Sequence, residues 1–185
     1  KWFREQIEKA GLEFRVDGAG NHSAFLAVTP ALAGVTQTLL LGSHLDSVPH
    51  GGRFDGALGV CAALEVLRVV QENNLTLAMN LEAMDFTDEE GTLVGLLGSS
   101  AVGGKLKPEN LLKPRGGRKA LLEGMKRAGL TEPGMLSATR SPGSLGGYLE
   151  LHIEQGSRLL RANKNIGIVT HIVGIASYRL TFLGR

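Results

Sequence analysis

Residues 38–70 read TLLLGSHLDSVPHGGRFDGALGVCAALEVLRVV, and the succession of patterns within them decides the fold. The uninterrupted apolar run at 38–41, closed by Gly42, has the character of a strand buried on both faces. A polar, glycine-rich passage follows at 43–55. Val60, Leu64, Leu67 and Val70 then recur in steps of four, three and three, with Glu65, Arg68 and Glu72 on other faces. That spacing predicts a helix packed on a sheet. A second long apolar run at 75–84 again opens into a polar loop, Asp85 onward to Gly91. Strand, loop, helix, strand in this order predicts an α/β fold, a mainly parallel twisted sheet with helices on both faces.

Working outward, Trp2, Phe3, Ile7 and Ala10 stand at helical spacing ahead of Gly11. Residues 12–16 and 23–28 alternate as strands around the turn-dense 17–21. A short helix is expected at 120–128 and loop through the rest of 105–146. A strand-like run stands at 148–153. The β-branched stretches 166–173 and 177–182 predict paired strands. The chain begins at Lys1 inside a helical pattern and stops at Arg185 just after a strand pattern, so it reads as a piece of a longer protein.

Composition narrows the function classes. Over 185 residues, 43% are apolar and 21% charged, which suits a globular protein rather than a disordered one. A net charge of +2 does not argue for nucleic acid or a membrane surface. The basic run at 105–119 has no aromatic residue among its Lys and Arg, as a single-strand stacking platform requires. No apolar run reaches the ~18 residues of a membrane helix, and no signal peptide opens the chain. Cys61, the single cysteine, excludes an internal disulfide. It is expected to be a small core residue in a protein of a reducing compartment, the cytoplasm.

The chemistry-bearing residues follow apolar strands. His44 and Asp46 come straight after 38–41; Asp55 stands between glycines before the long helix; Asp88, Glu89 and Glu90 follow 75–84. In an open α/β sheet, ligands gather outside the carboxyl ends of the strands, so the three clusters are expected to converge. Each has an ordinary alternative. His44 could be a hydrogen-bonded strand-end histidine, Asp55 a helix N-cap, and the acidic pair a solvated loop. His152, Glu154 and Gln155 form a fourth candidate cluster. No Gly-x-Ser-x-Gly elbow, His-Glu-x-x-His motif or phosphate loop occurs.

Taken in order, GSHLDSVPHGGRFDGALGV, FTDEEGTLVGLLGSSAVGG and LELHIEQG resemble the signature blocks of the M20 metallopeptidase-like superfamily. The last resembles its N-carbamoyl-L-amino-acid hydrolase and allantoate amidohydrolase branch. The resemblance implies a centre for two divalent cations, zinc or else manganese, cobalt or nickel. His44 would be the first ligand with Asp46 its supporting partner, Asp55 the bridging carboxylate, Glu89 the general base and Glu90 the ligand of the other cation. His152 would be the ligand that marks the branch, and Gln155 would lie near the substrate. The implied substrate is a small N-carbamoyl or ureido compound.

The resemblance also implies a catalytic domain over 1–174, the start of a lid and dimerisation domain at 175–185, and a homodimer when the protein is complete. Taken alone, the 185 residues are expected not to turn over substrate. Two alternatives stand beside this: an aminopeptidase, dipeptidase or N-acyl-amino-acid deacylase of the same superfamily, and a non-catalytic metal-binding or assembly module. One departure is visible. Thr92-Leu93-Val94 stands where many relatives carry an Arg-Phe pair after Glu-Glu-Gly.

Overall fold

The computed structural model describes residues 1–27, 37–172, 174, 178 and 180–184. These form two compact units, Lys1–Ile153 and Glu154–Arg185. The expected boundary at 174/175 adjoins 173 and 175–177, which lie outside the described residues, as does Val28 of the second expected strand.

The first unit is built on a five-stranded sheet: β1 (Glu13–Val16), β2 (His22–Leu26), β3 (Thr38–Ser43), β4 (Asn80–Asp85) and β5 (Leu145–Leu149), in the order β1-β2-β4-β3-β5. β3 runs parallel to both β4 and β5, whereas β2 is antiparallel to β4 and to β1. Four of the five strands therefore point the same way, with β2 reversed. β4 begins at Asn80, five residues later than the apolar run suggests.

Period-two alternation assigns the two faces. Leu81 and Ala83 of β4, with Leu39 and Leu41 of β3, pack against α1 (Trp2–Lys9) and α2 (Ala57–Glu72) in one core. Phe3 and Ile7 of α1 and Val60, Ala63, Leu64 and Leu67 of α2 supply the helical side. Leu40 and Met84, one residue out of phase, face the other way and meet Val102 of α3 (Leu97–Val102). On that same face the buried Glu82 accepts two hydrogen bonds from Arg140 and one from Ser23. Helices thus cover both faces, as the sequence pattern predicts.

Two expectations need correction within this unit. Cys61 is exposed. It lies one and two turns from Glu65 and Arg68, so the helical period places it on their stripe and not on that of Val60, Leu64 and Leu67. The three line a groove of about 340 Å³ together with Trp2, Gln6 and Lys9. The middle of the chain is also more helical than its Pro and Gly content suggests. It holds α3, α4 (Pro108–Leu112), α5 (Arg118–Ala128) and α6 (Glu132–Leu136), around a small core of Leu97, Leu111, Leu121, Met125 and Met135.

In the second unit, α7 (Arg158–Arg161) is the one helix among the described residues, and the Glu154 carboxylate accepts the amides of Arg158 and Leu159 at its start. The paired strands expected at 166–173 and 177–182 do not form among the described residues. Ile166, Ile168, Val169, Ile172, Leu180 and Phe182 are exposed. β-Propensity expresses packing against a partner strand, and none of the described residues supplies one.

Candidate metal centre

Because β3, β4 and β5 are parallel, their carboxyl ends share one edge of the sheet, and the loops leaving that edge carry the candidate residues. His44 follows β3, the Glu89-Glu90 turn lies beyond β4, and His152 lies three residues beyond β5. Asp55 stands at the end of the loop that follows β3, one residue ahead of Gly56. The N-cap position of α2 is Gly56 rather than Asp55.

His44 is buried, and its Nδ1 lies 2.9 Å from the Asp46 carbonyl oxygen. His152 makes the corresponding bond, 2.8 Å from Nδ1 to the Ile153 carbonyl. A neutral imidazole that donates from Nδ1 presents a lone pair at Nε2, the arrangement of a metal-ligating histidine. Both Nε2 atoms face carboxylates: His44 stands 3.5 Å from Glu89 Oε2, and His152 stands 3.1 Å from Asp55 Oδ1. The two ring centroids are 6.3 Å apart. Ligand-type atoms of His44, Asp55 and His152 lie within 4.8 Å of one another, and so do those of His44, Glu89 and Glu90. His44 is thus common to both groups, the place that the resemblance gives to Asp55.

Asp46 supports the centre in a fuller way than its spacing suggests. Its carboxylate is 3.6 Å from His44 Nδ1, and its two oxygens accept the backbone amides of Glu89 and Glu90 at 3.2 and 3.0 Å. One side chain thereby ties the β3 loop to the β4 loop. Asp88, in a left-handed conformation at φ 52°, accepts the amides of Leu93, Val94 and Gly95 and closes the turn that presents Glu89 and Glu90.

Burial raises the Glu89 carboxyl above its ordinary value; His44 opposes the shift, while Glu90, Asp46 and Glu150 add to it. Asp85, at the end of β4, was missed among the candidates. It accepts the Leu45 amide at 2.9 Å, and burial pushes its carboxyl up to about 6. The signal available for it is an acid closing an apolar strand. Gln155 is exposed, has φ 54° and belongs to the second unit.

Imidazole nitrogens and carboxylate oxygens gathered in this way form the donor set of zinc, and equally of manganese, cobalt or nickel. The residues present therefore fit a divalent cation. Among the described residues no helix is long and apolar enough to cross a membrane.

The chain is similar to several known proteins. Residues 26–113 match the model of Peptidase family M28. An N-carbamoyl-L-amino acid amidohydrolase of Geobacillus stearothermophilus is 42% identical over 96% of this chain and 43% of its own length. An allantoate amidohydrolase of Bacillus subtilis is 32% identical over 98% of this chain and 44% of its own. A hydantoinase/carbamoylase family amidase from Burkholderia ambifaria superposes with a TM-score of 0.73 at 32% identity, covering 88% of this chain and 39% of that one. The chain spans about two fifths of the length of these relatives. By sequence and by fold, it is similar to N-carbamoyl-L-amino acid amidohydrolases and to hydantoinase/carbamoylase family amidases.

Proposed function

We propose that the chain supplies the cation-binding centre of a hydrolase that cleaves linear amide or ureido C–N bonds, of the N-carbamoyl-L-amino-acid hydrolase or allantoate amidohydrolase type. The observation that carries this is the convergence of two inward-turned imidazoles with Asp55, Glu89 and Glu90 at one sheet edge. His44, Asp55 and His152 would hold one divalent cation; Asp55 and Glu90, with a further ligand, would hold a second. A bound cation supplies Lewis acidity, polarising the scissile carbonyl and making water nucleophilic at neutral pH.

In this reading the protein groups divide the remaining work. Glu89 accepts a proton from the attacking water and returns it to the departing nitrogen. Asp46 holds Glu89 and Glu90 in place through their amides. Gln155 contacts the substrate, a small N-carbamoyl or ureido compound whose carbamoyl group leaves as ammonia and carbon dioxide. The residues from 175 onward begin a second domain that covers substrate and forms a homodimer, in a protein of the cytoplasm.

The match to a peptidase family favours a second reading, cleavage of a peptide or N-acyl bond by the same centre. That match spans His44, Asp55, Glu89 and Glu90 but ends before His152. It therefore speaks to the shared part of the centre and not to the residue that sets the carbamoylase branch apart. The test is to supply zinc or manganese and follow ammonia from N-carbamoyl-L-amino acids beside acetate from N-acetyl-L-amino acids. Ammonia alone supports the proposal, and acetate alone transfers it to the deacylase reading. Tight cation binding with neither product, in the chain and in its full-length protein, would leave a non-catalytic metal-binding module.

A further inference from the structure

The main-chain ladder between β3 and β5 ends at the pair Leu41–Leu149. His44 and His152 each lie three residues beyond it, so backbone pairing does not fix the spacing between them. Side chains take over at that point. The Glu150 carboxylate accepts the Ser43 hydroxyl at 2.6 Å through Oε1 and meets the Tyr148 hydroxyl at 2.8 Å through Oε2. Tyr148 also stands 3.1 Å from the Gly42 carbonyl oxygen, and its ring packs edge-on against Phe86 at 5.8 Å. Ser43 is buried, and it immediately precedes His44. On the far side, Gly59 of α2 has no room for a side chain. A Cβ there would stand 2.5 Å from the Leu151 carbonyl oxygen and 2.7 Å from Ser43 Cβ.

We infer that Glu150, bonded to Ser43 and Tyr148, is a positioning residue that presets the separation of His44 and His152 for a cation. It acts through the two histidine-bearing segments, its hydrogen bonds going to Ser43 and Tyr148 and not to the imidazoles. The inference rests on the cation-centre reading above. A group that orients ligands in this way affects metal affinity by about 10–100-fold when removed, because the ligands must then be brought into register at the moment of binding. The requirement is geometric rather than one of charge. A glutamine at 150 can accept the Ser43 hydroxyl through its carbonyl and donate its amide to Tyr148, whose hydroxyl then donates to Gly42.

The experiment is calorimetric titration of the whole chain with zinc and, separately, manganese, for wild type, Glu150→Ala, Glu150→Gln and Ser43→Ala, with far-UV circular dichroism of each apo-protein. The expected result is a loss of about 10–100-fold in affinity for Glu150→Ala, a smaller loss for Ser43→Ala, and near wild-type affinity for Glu150→Gln. Equal affinity in wild type and Glu150→Ala overturns the inference, and so does a Glu150→Gln variant as weak as Glu150→Ala. Should Glu150→Ala fail to fold, Ser43→Ala decides: unchanged affinity there overturns the inference as well. A wild-type chain that binds neither cation overturns the underlying centre, a failure separate from that of the positioning role.

Discussion

The His44 ring lies directly against the backbone of Gly56: a Cβ on Gly56 would stand 2.5 Å from both Cε1 and Nδ1 of the imidazole. The start of α2 is therefore the floor on which a candidate ligand rests. It also explains why Asp55 is followed by a residue without a side chain.

Gly56→Ala is strained on two counts, the ring contact and a backbone φ of 67°. It should destabilise the fold by more than about 1 kcal/mol, the usual range when a side chain is forced into a glycine conformation. It should also displace His44 and weaken cation binding. Urea denaturation and zinc titration check the two halves, and a variant with wild-type values in both would refute the contact.

Asp46→Asn puts an amide donor where one of two backbone donors needs an acceptor. Hydrogen bonds to a charged group contribute about 1.5–3 kcal/mol, so a loss of that order is expected by chemical denaturation. Cation binding should weaken as well, because Glu89 and Glu90 lose their common anchor. Asp46→Asn with unaltered stability would show that the two amides find other acceptors at no cost.

The neighbouring acids should separate in a complete enzyme. Glu89→Gln is expected to retain cations and lose about 10²–10⁴-fold in rate, the scale of general acid–base catalysis. Glu90→Gln should lose a cation. Metal analysis showing the opposite pattern reverses the two roles.

The pair formed by Glu82 and Arg140 gives a pH test away from the centre. Burial alone would raise the Glu82 carboxyl, but the Arg140 and Ser23 bonds outweigh it and leave the value lowered from 4.5. A group lowered on folding contributes stability that is present above its unfolded value and lost as pH falls through the folded one. Removing one partner of a buried pair costs about 3–5 kcal/mol. Glu82→Gln should therefore be less stable than wild type at neutral pH, with the gap narrowing below pH 4.5. A gap that does not change with pH would contradict the lowered carboxyl.

Much of this was readable in the sequence, for identifiable reasons. β3 and β4 announce themselves because strands covered on both faces need long apolar runs, and the polar residues that end those runs must lie at the sheet edge. The short helices α4 and α6 were not readable. With five residues each they carry barely one turn of pattern, and contacts such as Leu111 and Met135 in the small core hold them instead. Cys61 misleads because its neighbours are apolar while its angular position belongs to Glu65 and Arg68. The role of Asp46 towards Glu89 and Glu90 could not be read from spacing, because it depends on how the parallel β3 and β4 set their loops side by side.

The exposed thiol itself is open to experiment. Cys61 of the native chain should react with a disulfide reagent as completely as the unfolded chain does. Protection until denaturant is added would return it to the core.

The strand order has a consequence for how the centre comes into being. Ser43 and Glu150, which meet beside the centre, are 107 residues apart in the chain. His152 reaches its partners only when that long loop closes, and loop closure carries an entropic cost that grows slowly with length. A cation held by His44 and His152 would span the same loop like a removable crosslink, present only in the closed chain. By mass action, an ion at 100 times its dissociation constant stabilises the closed form by about 2.7 kcal/mol. Chelation should then be felt first as fraying of β5, the strand that docks against the sheet from farthest along the chain.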